Sequence, residues 1–232
     1  MRLVRFIAQS GVCSRRNAEI LIKNGEICVN NVACVEPGYV VTPTDIITYQ
    51  GTTLTVQTEH ITLMLNKPRG VISASSSPYD EETVVDCVSH AYPGLRLFPI
   101  GRLDKETSGL ILLTTDGDLA YQLSHPKFEV QKKYTALIDE KLHDEDIQSL
   151  LSGVELEDGV SAFDSVKTDA TQRTVTVTLH SGKNRIIRRL FAACGYNVAQ
   201  LHRLEIGKLS LGNLKIGEFR ELSELDIKKI RE

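Results

Sequence analysis

The chain has 232 residues, 41% of them hydrophobic and 25% charged, with a net charge of −3. This leaves room for a small domain beside a medium one and is ordinary for a folded protein in water. No apolar run nears the roughly 18 residues of a membrane span, and the apolar part of residues 1–11 is too short for a signal peptide, so a cytoplasmic protein without a membrane partner is expected.

Residues 1–58 read as a separate unit. Leu3, Phe6 and Ile7 form one helical face closed by Gly11. Ser14 caps a second helix with Ala18, Leu21 and Ile22 inward and Gly25 as its stop. Strand-like pieces follow at residues 26–29 and 45–49, with turns at Asn30-Asn31 and Pro37-Gly38. So small a core is near the lower limit for independent stability. Residues 50–60, rich in Thr and Gln, read as a linker.

From residue 61 onward, strands and helices alternate irregularly. Strands are expected at residues 61–66, 97–100, 110–114, 130–138 and 173–180, the last two alternating at period two. Helices are expected at residues 83–90, 144–151 and 184–193, with another from an Asp116 cap to Ser124. Ser223 and Asp226 resemble a capping box for a final helix. Strand pairs joined by turns such as Asp158-Gly159 predict an α+β core with a mixed, largely antiparallel sheet, flanking helices and a central cleft.

The five cysteines, Cys13, Cys28, Cys34, Cys87 and Cys194, never form a C-x-x-C pair. They read as reduced thiols buried like small apolar residues, not as a disulfide frame or a zinc site. The net charge hides its patterning. Acids crowd residues 139–146 and 155–158, whereas residues 181–203 contain none and carry Lys183, Arg185, Arg188, Arg189 and Arg203. A local basic face can bind phosphate while the far side stays acidic.

The loop between two apolar strands reads Gly101-Arg102-Leu103-Asp104-Lys105-Glu106-Thr107-Ser108-Gly109. Strands anchored in the core aim Asp104 rigidly, although an Asp in such a loop is more often a turn or cap residue. The wider run, GRLDKETSGLILLTTDG, resembles the central motif of the pseudouridine synthases, a long and specific pattern. The resemblance places the catalytic Asp at Asp104. Leu65-Asn66-Lys67-Pro68-Arg69-Gly70 resembles the opening motif, a strand end turned by proline. The stretch from His125-Pro126 to Lys132-Lys133-Tyr134 resembles the next, and residues 182–191 the last. These imply Tyr134 as the aromatic partner and Arg188 as the basic partner of Asp104. Many relatives have His-Gln where this chain has Arg185-Ile186.

Residues 1–58, through SRRNAEILIKNGEICVN and PGYVVTPTD, resemble the αL RNA-binding domain of a small-subunit ribosomal protein. Together with a catalytic domain at residues 61–232, they point to the RsuA/RluB class of ribosomal RNA pseudouridine synthases. The GVELEDG wording of residues 153–159 leans toward the large-subunit branch.

The resemblance implies isomerisation of uridine to pseudouridine: the bond from the base's nitrogen-1 to the sugar breaks, the uracil turns, and it rejoins through carbon-5. No metal, cofactor or group donor is implied. The target base must be flipped out of its stack. Asp104 must be ionised; a carboxylate removed from water tends to take up a proton, and a bidentate Arg188 would keep it charged and aimed. Tyr134 would stack on the uracil and help move the carbon-5 proton, or else serve as an ordinary half-buried strand residue. Arg102 either fills the space left in the RNA, holds a phosphate, or makes a salt bridge within the loop. Arg5, Arg15, Arg16 and Lys23 grip phosphates or form a solvated helix face. Lys183, Arg185 and Arg189 are stronger candidates for RNA contact because no acid lies near them in sequence. The partner is ribosomal RNA or an assembly intermediate, and a monomer is expected. Two other readings compete. One is a non-catalytic RNA-binding assembly factor. The other is a small-molecule glycosidase, for which Glu106 is the near candidate for a second carboxylate.

Overall fold

The computed structural model describes residues 1–231; Glu232, at the end of the expected catalytic domain, lies outside the described residues. The chain divides into two compact units. One is residues 1–61 with 94–96 and 115–117, and the other is residues 62–93, 97–114 and the chain from residue 118 onward.

In the first unit, α1 (Leu3–Gln9) buries Leu3 and Ile7, and α2 (Arg15–Lys23) buries Ala18 and Ile22. Ser14 accepts the Asn17 amide at 3.1 Å, the expected cap. The strands β1 (Ile27–Val29), β2 (Val32–Ala33), β3 (Ile47–Tyr49) and β4 (Thr52–Thr53) pair antiparallel in the order β2-β1-β3-β4. Asn30 and Asn31, at φ 52° and 65°, make the β1–β2 turn that left-handed asparagines suit. The expected linker is partly structured: β4 falls inside it, and Leu54 packs on the small core of Leu3, Ile7, Ala18, Ile22, Ile27, Val29 and Ile47.

Asp45 ties the loops of this unit together. Its carboxylate accepts from the Thr42 amide at 2.8 Å, Asn30 Nδ2 at 2.9 Å and the Tyr39 hydroxyl at 3.1 Å. The Thr42 amide and then Asn30 hold its pKa down at about 2. Because the folded value lies below the ordinary value of about 4, the bonds stabilise the unit above pH 4 and are lost as pH falls toward 2. Amide hydrogen exchange in β1 and β3 should therefore accelerate from pH 4 to 2, after correction for intrinsic exchange, and Asp45→Asn should flatten that rise. An equally steep rise in the variant would refute the assignment.

The second unit opens with β5 (Thr62–Lys67), every residue buried. Next come α3 (Asp86–Ser89), β6 (Phe98–Ile100), β7 (Thr107–Thr114), α4 (Gly117–Ser124) and β8 (Lys132–Ile138). They are followed by α5 (Asp144–Ser152), β9 (Ser165–Thr168), β10 (Thr174–Leu179) and α6 (Ile186–Ala193). The last elements are β11 (Val198–Ile206), β12 (Leu209–Ser210), β13 (Phe219–Glu221) and α7 (Glu224–Arg231). One sheet runs β13-β5-β7-β11-β8-β10-β9, with β6 on β7 and β12 on β11. Only the β7–β11 pair is parallel among the described ladders. The α+β, largely antiparallel reading is therefore right. Residues such as Met64, Leu110, Leu112, Leu119, Leu123, Ile206 and Ile230 form an apolar core in this unit.

The capping box is present: Asp226 Oδ2 accepts from the Ser223 amide at 3.2 Å, and Ser223 Oγ accepts from the Asp226 amide at 3.2 Å. The helix expected at residues 83–90 shrinks to α3. Thr83 is drawn into a bridge with Ile72, and Asp86 accepts both its amide and its hydroxyl at 2.8 Å. The cysteines are free, as expected, but only half-buried.

Candidate active site

The loop between β6 and β7 is pinned on each side of Asp104. Before it, Ser73 Oγ donates to the Leu103 carbonyl at 2.7 Å and accepts the Leu103 amide at 3.0 Å. After it, the Lys105 carbonyl takes the Gly70 amide at 2.9 Å and Lys67 Nζ at 3.4 Å. The Thr107 amide closes the turn on the Asp104 carbonyl at 3.0 Å. Asp104 is thus held by its backbone, leaving its carboxylate free to point into a site.

Lys67, fully buried at the end of β5, is the surprise of the opening motif. Its ammonium also donates to the Pro68 carbonyl at 2.8 Å. Burial pulls its pKa down to about 8, while the Cys87 thiol and the Glu106 and Asp104 carboxylates oppose the shift. The motif does more than turn a strand: it sets a cation beneath the Asp104 loop.

Asp104 opens into a cavity of about 420 Å³, within the ~300–1,000 Å³ of small-ligand pockets. Arg102, Lys132, Tyr134, Lys183, Arg185 and Arg203 line it, together with apolar residues such as Leu112, Leu123, Ile187 and Leu201. Asp104 is the one carboxylate in the lining. A chain of net negative charge has therefore built a cavity of opposite sign, suited to a polyanion.

Arg185, just ahead of α6 at φ 48°, carries the guanidinium that meets Asp104, at 3.7 Å. The direct pairing expected of Arg188 is corrected here. Arg188 Nη1 donates instead to the Val198 carbonyl at 2.5 Å, where the β11–β8 ladder shifts register. Its Nε and Nη2 are buried without partners among the described residues, and it is absent from the cavity lining. It still feels Asp104: burial and the Arg185 charge lower its pKa, and Asp104 opposes them. The Arg185–Asp104 pair is long and half-exposed, so it is worth at most about 1 kcal/mol. Arg185→Ala should lower turnover by about three- to tenfold with little change in melting temperature, and a loss beyond a hundredfold would mean that Arg185 does more than hold Asp104.

The expected absence of acids near Lys183 and Arg189 does not survive folding. Asp158 lies 3.7 Å from Lys183 Nζ and forms a short ion pair with Arg189. Lys183 further donates to the Asp158 carbonyl and Ser161 Oγ, each at 3.0 Å. Arg189 is thus a paired cation, whereas Lys183 is paired yet still reaches the cavity wall. Arg102 is exposed on the wall and makes no ion pair among the described residues, so the salt bridge within the loop is not formed. Glu106 pairs with Arg69 at 3.0 Å and does not line the cavity, so a two-carboxylate glycosidase loses its second carboxylate. In the first unit, Arg5, Arg15, Arg16 and Lys23 are all exposed on α1 and α2.

Sequence reading counted Arg203 only as the last cation of a basic stretch and gave it no role of its own in the site. It lies on β11, opposite Tyr134 of β8 and Gly109 of β7. It is 4% exposed and donates through Nη1 to the Tyr134 hydroxyl at 3.3 Å and through Nε to the Leu110 carbonyl at 2.6 Å. The signal for it was the apolar character of its neighbours, Leu201 and Ile206, but two register shifts blur the period-two pattern of β11.

The RNA pseudouridylate synthase family model matches residues 61–193, and the S4 domain model matches residues 1–47. The ribosomal large subunit pseudouridine synthase B of Bacillus subtilis (strain 168) is 41% identical, over 99% of this chain and 95% of its own length. The dual-specificity RNA pseudouridine synthase RluF of Shigella flexneri is 35% identical, over 97% of this chain and 76% of its own. A crystal structure of a pseudouridylate synthase aligns with a TM-score of 0.71 and 28% identity, over 99% of both chains. With a match over more than half its length and a cavity built on the motif's own loop, the chain belongs to the RNA pseudouridine synthase family and carries an S4 domain at its N-terminal end.

Proposed function

We propose that this protein converts a uridine of large-subunit ribosomal RNA to pseudouridine. In this reading residues 1–58 dock on the RNA, residues 61–232 catalyse, and Asp104 is the nucleophile. The observation that carries it is the lone carboxylate of Asp104, fixed by its backbone in a cavity otherwise lined by cations, Tyr134 and apolar side chains. The relative with 41% identity bears a large-subunit name, which favours that substrate.

The flipped uridine enters with its base among Leu112, Leu123 and Tyr134. Asp104 assists departure of the base from the sugar, and Tyr134, half-way between an apolar wall and a polar tip, stacks on the ring and relays the carbon-5 proton. Arg102 and Lys183 meet the phosphates beside the target. Arg185 holds the Asp104 carboxylate, and Arg188 adds positive charge behind it. On the first unit, Arg5, Arg15, Arg16 and Lys23 supply sequence-independent phosphate contact. Arg189 contributes only after giving up Asp158.

The test is tritium release from ribosomal RNA labelled at uracil carbon-5, on large- and small-subunit RNA and on assembly intermediates. Release from large-subunit RNA or its precursors alone supports the reading. Release from small-subunit RNA alone overturns the substrate. No release from any of them leaves the non-catalytic assembly factor as the better reading.

A further inference from the structure

Buried cations are ordinarily paired with a carboxylate. Among the described residues, buried Arg203 and half-buried Lys132, both in the cavity lining, are not. Arg203 spends Nε on one backbone carbonyl and Nη1 on the Tyr134 hydroxyl, while Nη2 is buried with no partner among the described residues. Its guanidinium carbon lies 5.9 Å from the centre of the Tyr134 ring. Among the described residues, Lys132, two residues before Tyr134 on β8, donates only to the carbonyls of Val130 at 2.7 Å and His180 at 3.1 Å. The nearest acid along β11, Glu205, is taken by Lys133 at 3.2 and 3.3 Å. Burial first, and the Arg203 charge second, drive the Lys132 pKa down to about 8. The fold thus holds two like charges side by side, with an unused N–H, in the wall that Tyr134 shares.

We propose that Arg203 and Lys132 form a cationic seat for the uracil and neutralise the negative charge that the base acquires during the reaction. The inference rests on the functional reading above. When the C1′–N1 bond breaks, its electron pair stays on N1 and the charge spreads to the two carbonyl oxygens of the ring. If Asp104 adds to carbon-6 of the ring instead, the charge again goes to a ring carbonyl oxygen, and later expulsion of the Asp104 carboxylate restores the ring double bond. Formation of the C1′–C5 bond, loss of the C5 proton and protonation of N1 return the base to neutrality. On either route the base is more anionic midway than at the start or the end. A fixed, partly buried cation stabilises that stage selectively and needs no reorientation of water. Arg203 Nη2 supplies a hydrogen bond to a ring oxygen, and Lys132 supplies charge. Because the Tyr134 oxygen accepts from Arg203, its own proton must point elsewhere, which keeps the hydroxyl available to the base.

The experiment compares Arg203→Met, Arg203→Lys and Lys132→Met with the native protein, by single-turnover tritium release, RNA dissociation constant and thermal melting. Loss of one preorganised donor in such sites costs on the order of 10²- to 10³-fold in rate. Arg203→Met should lose that much with RNA affinity within about threefold, Arg203→Lys should regain at least tenfold, and Lys132→Met should lose about tenfold. If Arg203→Met does not fold, Arg203→Lys and Lys132→Met decide alone, and full native rates in both overturn the proposal. It is also overturned if Lys and Met at position 203 are equally slow, or if the loss lies in affinity. If Arg203→Met costs nothing further in a Tyr134→Phe background, Arg203 only positions the tyrosine and the seat is refuted. An inactive native protein would instead remove the functional reading, and this inference with it.

Discussion

Replacing Asp104 with Asn should abolish tritium release from carbon-5-labelled RNA, by on the order of 10⁴-fold or more, while RNA binding stays equal or tightens. The size of the first effect follows from covalent or ion-pair assistance by a single group: Asn keeps the shape and removes both the charge and the nucleophilic oxygen. No second carboxylate lines the cavity to take over. The sign of the second effect follows from the lining. Asp104 is the one anion among Arg102, Lys132, Lys183, Arg185 and Arg203, so deleting it makes the cavity more positive toward a phosphate chain. Stability should hardly change, since the Asp104 side chain is 32% exposed and its ion pair with Arg185 is long. Single-turnover release and filter binding at two salt concentrations measure both effects. A variant that binds more weakly and reacts within tenfold of the native rate would mean that Asp104 is an RNA contact and that another group does the chemistry.

The sequence disclosed most where one motif coincided with one loop. The GRLDKE part of the motif, with Asp104, lies between β6 and β7 and its TSG opens β7, and the alternating stretches at residues 130–138 and 173–180 became β8 and β10. It disclosed less where the cause is a contact between distant residues. Asp158 sits 25 residues from Lys183 and 31 from Arg189, so the acid-free stretch looked more available than it is. The choice between Arg185 and Arg188 is of the same kind: three residues apart at the head of α6, they differ in whether Asp104 or the Val198 carbonyl is within reach. β11 escaped altogether. Its His202, Arg203 and Glu205 make it look like surface, yet it is the strand that joins β7 to β8 at the centre of the sheet.

The hidden strand explains a glycine in the visible motif. Gly109→Ala should destabilise the second unit by about 4 kcal/mol or more, enough to leave it largely unfolded in a protein of ordinary marginal stability. Gly109 has φ +108°, outside the region that side chains favour, and a Cβ there would stand 2.3 Å from the Arg203 carbonyl oxygen and 2.4 Å from its nitrogen. Those atoms are backbone, so no rotamer change relieves the clash; β11 must move away from β7, breaking the parallel pairing of Leu201 to Thr107, His202 to Ser108 and Arg203 to Gly109. That same displacement would pull the Arg203 guanidinium from Tyr134 and loosen the loop that holds Asp104. Gly212 provides the control. Its φ of +57° suits a left-handed residue and a Cβ would meet nothing within 4 Å, so Gly212→Ala should cost only about 1 kcal/mol. Urea unfolding of the two variants separates conformational strain from steric exclusion. If they prove equally mild, the close approach of β7 and β11 is not what fixes glycine in the motif. If only Gly109→Ala collapses, the glycine of the catalytic signature is there for the strand that carries Arg203.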